Sequence, residues 1–204
     1  MKFAARFPVL LVLALVASLN AWGQPLSPLQ LVEATVNDVV ADMNANQEVY
    51  ASDQDKLRAM VLTRVAPHFN FNRMTQLAMA RYWSQATPQQ RRQISEEMLQ
   101  LMVRTYTSAM FTFRNQPIAL VDEKIINPRS AVVRVRVTTT SGQDASVVLR
   151  MENRADRWQV IDVVVDGVSM VITYRGTFAE EISKSGIDGL IASVRQDNLQ
   201  RVDQ

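Results

Sequence analysis

At Pro117 the spacing of apolar residues changes from helical to alternating, and this switch restricts the folds open to the chain more than any other feature of its 204 residues. Residues 118–126, 131–140, 146–152 and 158–166 read as four strands. They are separated by Asn127-Pro128, Ser141-Gly142 and Asn153-Arg154-Ala155-Asp156, connections too short for the helical crossover that a parallel pair needs. An antiparallel meander follows. Val133, Val135 and Val137 alternate with Arg134, Arg136 and Thr138, so the second strand has one dry and one wet face. Residues 160–165 are apolar apart from Asp162, which describes a strand covered on both sides.

Before the switch the pattern is helical. Ser27-Pro28-Leu29-Gln30 supplies an N-cap, a first-turn proline and the N3 glutamine of a capping box, and Val32, Val36, Val39, Val40 and Met43 then recur on one face. This predicts a helix over 28–46. Ser52 with Asp55 opens a second, stopped at Pro67, and a short third spans 71–79. Thr87-Pro88-Gln89-Gln90 starts a fourth, whose stripe Ile94, Met98, Leu101, Met102, Tyr106, Met110 and Phe113 runs for about 26 residues, roughly 39 Å. Beyond Asp166-Gly167, Val171, Tyr174, Phe178 and Ile182 return to helical spacing, with Gly186 as a C-cap before a last helix through Leu190, Ile191 and Val194. Helices, then strands, then helices make an α+β domain with helices packed on one face of a curved antiparallel sheet of about four strands.

The amino terminus carries Lys2 and Arg6, a charge-free run from Val9 to Leu19, and Ala21-Trp22-Gly23. That is the pattern of a cleaved secretory leader, residues 1–23, and its 11-residue apolar run falls well short of the roughly 20 that span a bilayer. Residues 24–204 then form a single domain. Losing Lys2 and Arg6 leaves 20 basic against 20 acidic side chains, so the broad positive field of a nucleic-acid binder is missing. There is no cysteine, hence no disulfide, lipidated cysteine or thiolate metal site.

The inventory for catalysis is thin. His68 is the one histidine, which rules out a two-histidine metal motif, and its place behind Pro67 at a helix end suits a structural role. Gly167-Val168-Ser169-Met170-Val171 lacks the second glycine of a nucleophile elbow, and Ser169 reads as a first-turn helix residue. No phosphate loop occurs. One acid–base pair stays open: Asp162, set among valines and isoleucine, as base, with Tyr174 as donor, in the manner of pocket isomerases. What exceeds the ordinary is soft apolar surface, nine methionines outside the leader together with Phe69, Phe71, Phe111, Phe113 and Phe178. Methionine adapts to variable shapes, so such a composition suits a pocket for flexible chains, although ordinary core is the more frequent reason for any one of these residues and composition does not separate the two.

Two stretches are more specific. "WQVIDVVVDGVSMVITYRGTFAEEI", followed by "GIDGLI", resembles the periplasmic phospholipid-shuttle component of the Mla (maintenance of lipid asymmetry) pathway, a family also known as toluene-tolerance auxiliary proteins. "VLTRVAPHFNFNRMTQLAMARYWSQATPQQRRQ" is similar to that family's Pro-His-Phe-Asp-Phe, Met-x-x-Leu-Ala and Trp-x-x-Ala-Thr-Pro-x-Gln pattern, and "LMVRTYTSAM" looks like its central helix. The resemblance covers about residues 28 to 198, departing at Asn70 and Asp166, where acid and Glu are common.

The resemblance implies a fold that encloses an apolar cavity for the acyl chains of a phospholipid, a periplasmic location, and a protein that is not an enzyme and needs no cofactor or metal. It also implies two partners, an inner-membrane ABC transporter complex and an outer-membrane lipoprotein–porin complex; a monomer is expected. On this reading the lining comprises Val133, Val135, Val147 and Leu149 from the sheet, Val163 and Val165 before the Asp-Gly corner, and Val171, Tyr174 and Phe178 beyond it. Phe71, Met74, Leu77, Met102, Tyr106 and Met110 face them, and Arg175 is the candidate head-group contact. The alternatives are a pocket enzyme using Asp162 and Tyr174, and a periplasmic chaperone for apolar segments.

Overall fold

The structure, a computed structural model, describes residues 26–139 and 142–200. The predicted leader and Thr140, the predicted end of the second strand, lie outside these residues. The first helix, α1 (Pro28–Ala45), begins with the capping box its sequence announces: the Ser27 hydroxyl accepts from the Gln30 N–H at 3.2 Å, and the Gln30 side chain accepts from the Ser27 N–H at 3.0 Å. Next comes α2 (Gln47–Ser52), a short helix with no sequence counterpart, and then α3 (Gln54–Arg64). Asp53, rather than Ser52, caps α3, because its carboxylate accepts from the N–H groups of both Asp55 and Lys56 at 3.1 Å. A 3-10 turn (Ala66–His68) leads into α4 (Phe71–Met79), a second 3-10 segment follows (Ala80–Ser84), and α5 (Pro88–Thr112) opens on the Thr87–Gln90 capping box.

The strands are β1 (Ile118–Asn127), β2 (Ser130–Thr138), β3 (Asp144–Arg154), β4 (Arg157–Val165) and β5 (Val168–Ser169), adjacent in sequence order and antiparallel throughout. The sheet thus has five strands rather than about four. Asp166 and Gly167, with φ of 48° and 85°, form a two-residue turn that folds Val168 back onto Val165. Ser169 is therefore still strand, one residue short of α6 (Met170–Gln200). Gly186, at φ 73°, breaks α6 where the sequence places a C-cap.

A bulge in β4 decides what the sheet presents. Met151 pairs with Val160 and Arg150 with Asp162, leaving Ile161 without an opposite residue. The extra residue inverts the alternation, so Val160 and Val163 reach the same face while Asp162 turns to the other.

The buried apolar residues fall into three groups. Met74, Met79, Ile94, Met98, Phe178 and Leu190 join α4, α5 and α6 in a solid helical core. Met43, Tyr50, Leu57, Met60, Val61 and Val103 join α1, α2, α3 and α5. Val32, Val133, Val135, Met151 and Val160 join α1 to the sheet. The α1 backbone itself is lightly tied to the sheet: among the described residues its one hydrogen bond there runs from the Leu29 N–H to the Glu123 carboxylate, 2.8 Å. Arg64 of α3 adds ion pairs to Asp38 and Asp42 at 2.8 and 3.3 Å. No helix among the described residues is long and apolar enough to cross a membrane.

Candidate functional site

Between the helices and the sheet lies an apolar hollow in two lobes. The larger, about 310 Å³, is walled on one side by the stripe of α1, from Leu31 through Val36 and Val40 to Met43, and on the other by Ile118, Val137, Leu149, Met151 and Val160 of the sheet. The smaller, about 230 Å³, lies between Val61, Met102, Val103 and Tyr106 of α3 and α5 and, opposite them, Val163 and Val165 of β4 with Met170 at the start of α6. Val65, Phe69 and Met110 line both lobes and so form the septum at which they meet.

The septum is pinned from behind. Phe69 stacks on Phe71 with ring centres 5.7 Å apart, and the Asn70 N–H donates to the Val160 carbonyl at 2.9 Å. Gln159 donates to the carbonyls of Pro67 and Phe69 at 3.3 and 3.4 Å. Asn70, where the family pattern has an acid, still caps α4 by accepting from the Arg73 N–H at 3.0 Å.

Few polar groups reach the walls. In the larger lobe the Thr35 hydroxyl is turned onto the Leu31 carbonyl at 2.8 Å, leaving His68 and Arg114. Burial, seconded by the charge of Arg157, holds the His68 imidazole below its ordinary pKa and favours the neutral ring. In the smaller lobe the hydroxyl-bearing side chains are Tyr106 and Thr107, and the buried Thr107 hydroxyl has no partner among the described residues. No group of three or more metal-ligating side chains occurs among the described residues.

Of the residues chosen from sequence, Phe71, Met102, Tyr106, Met110, Leu149, Val163 and Val165 stand on the cavity walls. Others lie elsewhere. Met74, Leu77, Val171, Tyr174 and Phe178 pack in the solid core between α4, α5 and α6, where Tyr174 tilts onto Phe178 at 5.8 Å. Val133, Val135 and Val147 belong to the packed group that joins α1 to the sheet and line neither lobe. The chain past the Asp-Gly corner therefore contributes Met170 to the wall and then leaves it. Arg175 is spent in a structural tie, donating twice to the Leu77 carbonyl at 3.2 and 3.0 Å, and lines neither lobe.

Asp162 also has a structural occupation. One oxygen accepts from the Ser169 hydroxyl at 2.7 Å and from Arg150 at 3.3 Å, and the other accepts from the Val171 N–H at 3.1 Å. The carboxylate thus locks the last strand to the start of α6, where a negative charge suits the helix N-terminus. The wall residues that sequence reasoning missed are chiefly those of α1, together with Phe69, Phe113, Arg114 and Val160. For α1 the signal was present in its valine stripe, since four valines in under three turns are unusual for a helix.

Fold and hollow together define a single-sheet α+β pocket protein whose walls, among the described residues, are almost wholly apolar. A family model described as "MlaC protein" matches residues 33–196, and the chain belongs to the MlaC family. The intermembrane phospholipid transport system binding protein MlaC of Haemophilus influenzae is 26% identical over 181 residues, covering 86% of this chain and 84% of its own. The toluene tolerance protein ttg2D of Pseudomonas putida is 25% identical over 163 residues, covering 79% and 76%. A solved structure of a phospholipid-binding protein from Ralstonia solanacearum, in complex with a phospholipid, superposes with a TM-score of 0.77 at 32% identity over 84% of this chain and 97% of that one.

Proposed function

We propose that this protein is a periplasmic phospholipid carrier that works without catalysis, seating one acyl chain in each lobe and leaving the head group in water. The observation that carries the reading is the dry, two-lobed hollow, in a fold shared with a protein whose structure contains a phospholipid. At about 0.8 kcal/mol per buried CH2, a sixteen-carbon chain left in water costs on the order of 12 kcal/mol, which makes unassisted passage between membranes negligible. A protein that encloses the chains removes that cost and needs neither cofactor nor reactive group.

The leader pattern and the family support a role between an inner-membrane ABC transporter complex and an outer-membrane lipoprotein–porin complex, with loading and release governed by partners that favour an open form. Native mass spectrometry of protein purified from a membrane-rich lysate is expected to show one two-chain phospholipid per monomer. Protein that never carries stoichiometric phospholipid under those conditions defeats the reading, and copurifying polypeptide in its place supports a chaperone.

A further inference from the structure

We propose that Arg114 receives the phosphodiester of the carried lipid and makes the cavity select phospholipid over uncharged two-chain lipid; this inference rests on the carrier reading above. Among the described residues Arg114 is the one Lys, Arg, Asp or Glu lining either lobe. It sits beside Phe113, a 44%-exposed member of the same lining, so the charge lies where the larger lobe meets solvent. Among the described residues no carboxylate pairs with it.

The guanidinium is held in place but not satisfied. It lies 4.1 Å from the centre of the Phe111 ring, and Nη1 donates to the Phe111 carbonyl at 2.7 Å. Its Nε is buried without a partner. An orphaned buried donor on a cation is costly, and an incoming anionic oxygen relieves that cost. A guanidinium carries five N–H groups, so the contact to Phe111 leaves others for two phosphate oxygens.

Chain geometry puts the charge at the right place. A lipid with one chain in each lobe has its glycerol near the septum of Val65, Phe69 and Met110. Arg114 follows Met110 by four positions, in the turn just past the end of α5 at Thr112, and both residues line the larger lobe. Arg175, the cation that sequence reasoning chose for this role, is committed to the Leu77 carbonyl. His68, the other basic side chain on the wall, is biased toward its neutral form. A purely structural Arg114, capping the negative end of α5, is the competing account.

The test presents the full mature chain, stripped of lipid, with equal amounts of phosphatidylglycerol and a diacylglycerol bearing the same acyl chains, and reads the bound ratio by native mass spectrometry. Wild type is expected to favour the phospholipid by about tenfold, Arg114→Gln to bring the ratio within about threefold of unity, and Arg114→Lys to fall between. An Arg114→Gln ratio equal to wild type overturns the proposal, as does a wild-type ratio of one. Wild type that takes neither lipid overturns the carrier reading itself.

Should Arg114→Gln not fold, the Arg114 Nε–H resonance of wild type decides. It is expected to move between the diacylglycerol-loaded and phosphatidylglycerol-loaded forms, and an unmoved resonance leaves Arg114 with its capping role alone. Inorganic phosphate that produces the same shift in lipid-free protein, with no phospholipid preference, assigns a generic anion site and overturns the head-group role.

Discussion

Asp162 sits where a catalytic base was conceivable, yet it behaves as a fastener. Its oxygens take the Ser169 hydroxyl, the Val171 N–H and Arg150. Asp162→Ala strands the first two of those donors in a buried site, at 1–3 kcal/mol each at most, so a loss of about 3 kcal/mol is expected in urea unfolding. Lipid should remain in the fraction that stays folded, whereas an enzyme built on this residue would lose its function outright. His68 gives a second residue-level prediction, with a sign. Because burial and Arg157 lower its folded pKa, the unfolded chain takes up the proton at higher pH than the native state does. Stability therefore falls as pH drops below the unfolded value of about 6.5, and His68→Gln should flatten the dependence of Tm on pH between roughly 7 and 5. Parallel Tm profiles for the two proteins refute this. Ala80 is simpler: it holds φ at 48° and ψ at −119° on the surface between α4 and the segment that follows. Ala80→Gly is expected to gain about 0.5–1 kcal/mol by relieving backbone strain, measured as a shifted denaturation midpoint.

Among the elements, the 3-10 turn and its Phe69 do the dividing. Phe69→Ala merges the two lobes, costs about 2 kcal/mol for a half-buried ring, and is expected to broaden the range of acyl chains extracted with the protein. An unchanged lipid profile in the extract shows that the septum does not sort chains. The starts of α1 and α5 were legible in the sequence because caps are local: Ser27 with Gln30 and Thr87 with Gln90 act within four residues of each other. The meander was legible for a similar reason, since its turns are written in Asn-Pro and Gly. What could not be read was which apolar residues face the hollow. Met74 and Met102 both lie on helical stripes, but one is locked between α4, α5 and α6 and the other faces the smaller lobe. That difference is set by packing of distant elements, as is the Ile161 bulge that aims both Val160 and Val163 at the cavity. The short β5 pair escaped because two residues have no period.

For the whole molecule, ligand and stability are one quantity. A lipid present at a hundred times its Kd adds about 2.7 kcal/mol to the folded state, so stripping it should lower Tm by several degrees. Val36→Trp, which fills the larger lobe from the α1 side, is expected to raise the Tm of the lipid-free protein while abolishing lipid capture; capture at wild-type level places the acyl chains elsewhere. The hollow also has a location that matters for time as well as space. It lies between layers, and among the described residues α1 is joined to the sheet by side-chain packing and one hydrogen bond, Leu29 to Glu123. Parting the layers thus breaks no rung of the strand ladders. Hydrogen exchange in the lipid-free protein should accordingly run on two clocks: α1 amides opening quickly and independently, and β2, β3 and β4 amides waiting for global unfolding. A cargo can then enter or leave at the faster rate, without the scaffold ever coming apart.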